Sequence, residues 1–312
     1  MPAVVGSNWN LPNFIGELYT ASPTNTPMLS LVGGAGRGKI TKNFDFPTAV
    51  QYNLRAPAQT VVSEAASVAA PAPTSIARAQ VINTTQIHQE SIRVTYTKMA
   101  SMDRMTGLNT LNETPSVSDE LQFQVVQHLR QMANDIEFSF VQGVYLPAAN
   151  SATVATTRGM VAACALAGGT NINAGGAALD LPMMQNLFLN MFNAGAQFED
   201  VILYVPGVYK QQLSNIYGFA PADRVVGGVS IQQIQTDFGT VGVVPSRYAP
   251  ANTVLAVDMS VVEPVYQEIP GKGILFYEPL AKVGASETGQ LYGHVGLDHG
   301  PAFAHGVVTN IA

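Results

Sequence analysis

The stretch from Ser116 to Gln142 constrains this chain more than any other. Val117, Leu121, Val125, Leu129, Met132, Ile136 and Phe140 recur at steps of three and four residues. That spacing draws one apolar stripe along one helix. Ser116 is placed to cap the first turn, with Asp119 three residues on in a near capping-box pattern. Gly143 is placed to end the helix. At about 1.5 Å per residue the helix is roughly 40 Å long, about twice the usual length. The rest of the fold has to be built against this beam.

Two regions precede it. Residues Met1 to Lys42 read as an extended arm, punctuated by Pro2, Pro12, Pro23 and Pro27, with a short helix from Pro12 to Thr20. Such arms gain order by lying on something else. Then Phe44, Phe46, Val50, Tyr52 and Leu54 alternate with polar residues, and Ile92, Val94 and Tyr96 do so again, which predicts strands. Between them, Ala56 to Gln80 is rich in Ala, Pro and Ser. It cannot bury a core, and its prolines discourage pairing. The whole, Asn43 to Lys98, is expected to be a two-stranded excursion with a loose tip. An isolated ribbon is marginal in water, so it needs something to lie on.

Beyond Gly143 the pattern becomes mixed α/β. A helix is predicted from Asp180 or Leu181 to near Gly195, a buried strand at Val201–Val205, and a helix from Val208 to Tyr217 stopped by Gly218. Short strands follow around Val229–Gln235, Gly239–Val244, Thr253–Asp258, Leu291–Leu297 and Gly306–Ile311. Length allows about two domains at roughly 150 residues each.

Charge narrows the function classes. Asp, Glu, Lys and Arg make up 12% of the 312 residues, against roughly 25% in a typical soluble domain. A solitary globule needs more surface charge than this; a subunit buried against copies of itself does not. The net charge is −6, and no basic cluster is longer than two residues, so sequence-specific nucleic-acid binding is not expected. The single cysteine, Cys164, forms no internal disulfide and reads as a buried thiol. The start, Met1-Pro-Ala-Val-Val-Gly-Ser7, has no signal-peptide pattern. No run approaches the ~18 apolar residues of a membrane span.

No catalytic, cofactor or metal constellation emerges. Gly33, Gly38 and Lys39 match the spacing of a phosphate loop, G-x-x-x-x-G-K-S/T, but Ile40 replaces the hydroxyl residue. The following residues to Phe46 are β-patterned, where the motif needs a helix. His294, Asp298, His299 and His305 invite a metal reading. On a strand, however, His294 and Asp298 lie about 13 Å apart at about 3.3 Å per residue, whereas zinc ligands sit about 2 Å from one ion. Gly284-Ala-Ser-Glu-Thr-Gly289 misses the nucleophile-elbow spacing. The pairs Asp119/Glu120 and Glu199/Asp200 sit at element starts, where carboxylates favour the helix dipole or stay solvated.

Several segments resemble a known family. They are Asn13-Phe-Ile-Gly-Glu-Leu-Tyr-Thr-Ala-Ser-Pro-Thr-Asn-Thr-Pro-Met-Leu29, Thr157-Arg-Gly-Met160, Val201-Ile-Leu-Tyr-Val-Pro206, Asp237-Phe-Gly-Thr-Val-Gly242 and Ala302-Phe-Ala-His-Gly-Val-Val308. In this order, across essentially the whole chain, they resemble the Hong Kong 97-type major capsid proteins of tailed bacteriophages. The resemblance implies an α+β fold with an N-terminal arm (1–42) and an E-loop β-hairpin (43–98). It further implies a peripheral domain (99–145 and 291–312, with spine helix 116–142) and an axial domain (146–290).

It also implies a self-assembling icosahedral shell of pentamers and hexamers around the phage genome, built in the host cytoplasm and found in the virion. Arg55, Glu64 and Arg78 are the candidate inter-subunit contacts. A separate scaffolding protein or protease, a portal and decoration proteins are the implied partners, and with Met1 first no cleavage near the N-terminus is expected. In the archetype of this fold an E-loop lysine forms an isopeptide link to a neighbour's asparagine. Here no lysine lies between Asn43 and Thr97. Three alternatives compete: an encapsulin-like compartment that carries protein cargo, a phosphate-binding enzyme, and a secreted adhesin, which would need an export signal.

Overall fold

In the computed structural model the apolar stripe is buried as its spacing demands: Val125, Leu129, Met132, Ile136 and Phe140 are at most 7% exposed. The structure describes residues 18, 25–33, 38–52, 57–76, 78–100, 120–217, 222–226 and 229–312. The start expected for the long helix, with Ser116, Val117 and Asp119, lies outside them, as does nearly all of the Pro12–Thr20 segment. Leu18 is described, helical and fully buried.

The first half of the chain runs α1 (Pro27–Gly33), β1 (Lys39–Thr41), β2 (Asp45–Tyr52), α2 (Glu64–Ser67), β3 (Arg78–Thr84), β4 (Gln86–Thr95), α3 (Tyr96–Ala100) and the beam, α4 (Glu120–Gln142). The second half runs α5 (Met160–Cys164), β5 (Thr170–Asn173), α6 (Leu181–Ala194), β6 (Val201–Val205), α7 (Gly207–Tyr217), β7 (Ala222–Val226), β8 (Val229–Thr236), β9 (Gly239–Pro245), β10 (Val254–Asp258), β11 (Glu263–Gln267), β12 (Leu275–Pro279), β13 (Ser286–Asp298) and β14 (Gly306–Thr309).

A five-stranded sheet is organised by β13. One of its edges carries β4 from Ser286 to Val295; the other carries β12, then β11, with β1 parallel to β11 outside. On β4 the alternation is real: Ile92 and Val94 are buried beneath α4 while Ser91 and Arg93 are exposed. A seven-stranded sheet has the order β5-β14-β10-β6-β9-β8-β7. Its central strand β6 is buried at every residue. Ile202 and Tyr204 face the core under α4, while Val201, Leu203 and Val205 face a second core under α6 and α7. A strand covered on both faces reads as an unbroken apolar run. In α6, Asp180 accepts from the Met183 N–H at 2.9 Å as N-cap, and Gly195 closes the helix at φ 109°.

The pairing around the excursion corrects the sequence expectation. The ribbon is β2 with β3, and β4, which holds Ile92 and Val94, belongs to the body. Tyr96 continues no strand; it opens α3. The segment Arg78-Ala-Gln-Val-Ile-Asn-Thr84 has no strict alternation to announce it, because the ribbon has no core to face. Beyond α4, the chain returns tightly against its own helix end. The Gly159 N–H donates to the Gly143 carbonyl at 2.9 Å. A Cβ on Gly143 would lie 2.3 Å from the Ser139 carbonyl oxygen, and one on Gly159 would lie 2.5 Å from the Gly143 nitrogen. Only glycines permit this crossing.

Candidate assembly surface

The ribbon's root is welded to the body by a fully buried asparagine. Asn83 Nδ2 donates to the Leu297 carbonyl at 2.7 Å and to the Arg158 carbonyl at 3.2 Å. Its Oδ1 accepts from the Arg158 N–H at 2.7 Å and the Thr84 N–H at 2.9 Å. Arg158 Nη1 donates to the Ile82 carbonyl at 3.1 Å, and the guanidinium lies 4.4 Å from the centre of the Tyr145 ring. Thr157 Oγ1 accepts from the Leu297 N–H at 3.2 Å. Buried polar groups are kept only when their hydrogen bonds are met, and here β3, β13 and the segment after α4 meet them mutually. The root is rigid.

The tip is the opposite. Every residue from 57 to 76 is exposed, including Val61 (91%), Val62, Val68 (87%) and Ile76. Its one element, α2, is a single turn capped by Ser63 Oγ, which accepts from the Ala66 N–H at 3.1 Å. Isolated exposed aliphatics need no explanation, but a contiguous uncovered stretch marks an interaction surface.

Of the residues singled out in the sequence, Glu64 opens α2 and Arg78 opens β3, both exposed and with no ion pair in the chain among the described residues; Arg55 lies outside those residues. Lys39 does not face a phosphate-type loop. A strand follows it, and its amine meets Asp298 at 2.7 Å and Glu263 at 3.1 Å. His299 and His305 come together, and His294 lies near His88, but their ring nitrogens do not converge on one point. His294 Nε2 meets the Tyr292 hydroxyl at 2.8 Å; His305 Nε2 meets the His299 carbonyl at 2.6 Å, and its Nδ1 accepts from the Asp258 N–H. Burial pulls the His305 imidazole down to about 4. No group of three or more metal-ligating side chains forms among the described residues. Burial pushes the Cys164 thiol well up, so it stays protonated. Glu120 stands in the first turn of α4, as expected of a carboxylate that favours the helix dipole, and is not solvated: it is 1% exposed and paired with Lys98 at 2.5 Å.

Sequence reasoning missed Asn83 and Glu137, both buried anchors. A polar residue inside an ordinary polar or helical run carries no signal of burial. Its role exists only once distant segments meet.

The fold built from this ribbon, the long helix on its sheet and the α/β unit is similar to that of solved protein shells. The chain matches the capsid asymmetric unit of cyanophage A-1(L) with a TM-score of 0.61 and 14% identity, over 92% of this chain and 93% of that one. For Mycobacterium phage Patience the values are 0.54 and 11%, over 100% and 90%. For the holo-SrpI encapsulin complex from Synechococcus elongatus PCC 7942 they are 0.56 and 13%, over 88% and 85%. No curated protein matches by sequence. The fold is that of the Hong Kong 97-type shell subunits.

The sequence itself decides within that class. Residues 2–312 match the SU10 major capsid protein family, and the chain belongs to it. It is a major capsid protein of a tailed bacteriophage, a structural subunit of the virion shell. No helix among the described residues is long and apolar enough to cross a membrane.

Proposed function

We propose that the β2–β3 ribbon and its tip are the E-loop, lying over the next subunit of a ring of five or six that closes the shell around the genome. Under this reading α4 and the sheet built on β13 form the peripheral domain, expected from the sequence at 99–145 and 291–312. The seven-stranded sheet with α6 and α7 forms the axial domain, expected at 146–290, that faces the local symmetry axis. β11 and β12 then go with the peripheral domain and β14 with the axial one. Arg55, Glu64 and Arg78 contact neighbouring subunits. A separate scaffolding protein or protease, a portal and decoration proteins complete assembly.

The observation that carries the reading is the contrast between root and tip. A hydrogen-bonded root fixes where the ribbon points, while every residue from 57 to 76 is exposed in its own chain. Ordering residues costs about 1–2 kcal/mol each, which only a partner surface offsets. Removing residues 57–76 tests it. The shortened protein should keep its far-ultraviolet spectrum and melting temperature yet fail to form shells in electron micrographs. Normal shells from it would overturn the assignment.

A further inference from the structure

We infer that the tip of one subunit fills an apolar groove at the ribbon root of the next, a contact that rests on the E-loop reading above. The groove is a cavity of about 560 Å³ between Phe44, Ile87 and the segment from Ala148 to Ala155. Ile87 is 46% exposed and Val154 68%, so the wall offers bare aliphatic and alanine surface, interrupted by the polar side chains of Gln86, Asn150, Ser151 and Thr153. The tip offers the same chemistry, with Val61, Val62, Val68 and Ile76 uncovered among alanines and prolines.

The chain cannot satisfy itself. Phe44 and Gln86 flank the paired strands where Asp45 meets Thr84, whereas the tip leaves them where Tyr52 meets Arg78. Seven residues of β3 hold the two ends roughly 20 Å apart, at about 3.3 Å per residue. In the single chain every tip residue is exposed and none lies in the groove.

Charge agrees with this occupant. The tip from 57 to 76 holds one charged residue, Glu64, with no ion pair. The residues that line the groove carry no charged side chain. Tip and groove sit at opposite ends of the ribbon, so the contact runs head to tail and closes a ring when the rotation closes.

Cysteine pairing in shells of the full chain tests this. Val61, Val62, Val68 and Ile76 are changed to Cys one at a time, each together with Val154→Cys, and the shells are oxidised. Native Cys164 is fully buried and stays silent. At least one pair should give a ladder on a non-reducing gel that collapses on reduction, while each single variant runs as a monomer. Intact shells with no ladder from any pair overturn the groove but leave the E-loop reading standing; failure of the unsubstituted chain to assemble sinks that reading instead. A ladder from a tip cysteine alone, or only with Val208→Cys on α7, also overturns the groove. Should double variants not assemble, Val154→Cys alone is read by maleimide. Labelling of the free subunit should be lost in the shell, and equal labelling of both would show that nothing covers the groove.

Discussion

The Glu137 carboxyl group caps a helix it does not belong to: its Oε2 accepts from the Leu29 N–H at 2.7 Å, and its Oε1 from the Met28 N–H at 3.1 Å. The first N–H groups of any helix have no partner within it. Here α4 supplies one to α1 and fixes the arm against the beam. The carboxyl is fully buried, facing Tyr204, whose phenol burial pushes well up, and Tyr248. Burial pushes Glu137 up to about 8, against the pull of its two backbone hydrogen bonds.

A pH dependence follows. From pH 4.5 to about 8 the folded protein holds a Glu137 proton that the unfolded chain has released. The contribution is whole below pH 4.5 and is lost as pH rises through about 8. Buried His88 and His305 act in the opposite sense: each is lowered to about 4, so their contribution is present above pH 6.5 and lost as pH falls toward 4. The melting temperature should therefore decline above pH 6.5, and Glu137→Gln should flatten that decline while leaving the acid limb unchanged. Parallel curves for the two proteins would refute the assignment.

Asn83→Leu should loosen the ribbon at its root. The replacement matches the volume but leaves the Arg158 and Thr84 N–H groups and the Leu297 carbonyl without their side-chain partner. Unmet buried groups cost about 1–3 kcal/mol each. Calorimetry should show a lower melting temperature, and electron microscopy fewer closed shells. Unchanged melting would mean that water or a shifted loop replaces the side chain.

Much of this architecture could be read in advance because it rests on periodicity. The stripe of α4, the alternation at Ile92 and Val94, the unbroken run of β6 and the Asp180 and Gly195 caps each follow from local physics. The failures have a common cause. β3 was concealed because a ribbon with no core to face needs no alternation. The short strands β1, β5, β11 and β12 are set by partners far away in sequence, as in the pairing of Lys39–Thr41 with Val265–Gln267. The anchors Asn83 and Glu137 are polar residues whose burial is decided by which segments close over them.

Leu129→Asp should be among the most damaging single changes. Leu129 is 2% exposed at the middle of the α4 stripe, within the cluster that includes Ile92, Val94 and Leu291. A charge placed there without a partner costs several kcal/mol by rough estimate, comparable with the ~5–15 kcal/mol that holds a whole domain together. The variant should be found in the insoluble fraction on expression. Recovery of soluble protein with an unaltered melting temperature would mean that the stripe does not face the core.

Shell cohesion should be entirely non-covalent. An isopeptide link of the archetypal kind needs a lysine amine out on the ribbon, and none lies between Asn43 and Thr97. The amines nearest the ribbon in sequence are engaged or sit at its root. Lys98 pairs with Glu120 at 2.5 Å, Lys39 with Asp298 and Glu263, and the Lys42 carbonyl accepts from Gln267 Nε2 beside β11. To serve as nucleophile, any of them would have to leave its place and cross the ribbon's roughly 20 Å, at about 3.3 Å per residue. Cohesion then falls to the apolar tip, to strand pairing of arms and ribbons, and to charged contacts such as those of Glu64 and Arg78, worth about 0–1 kcal/mol each where exposed. Mature particles boiled in detergent should run as one band near 33.0 kDa. Covalent oligomers surviving both boiling and reductant would show that another nucleophile has been brought to the interface.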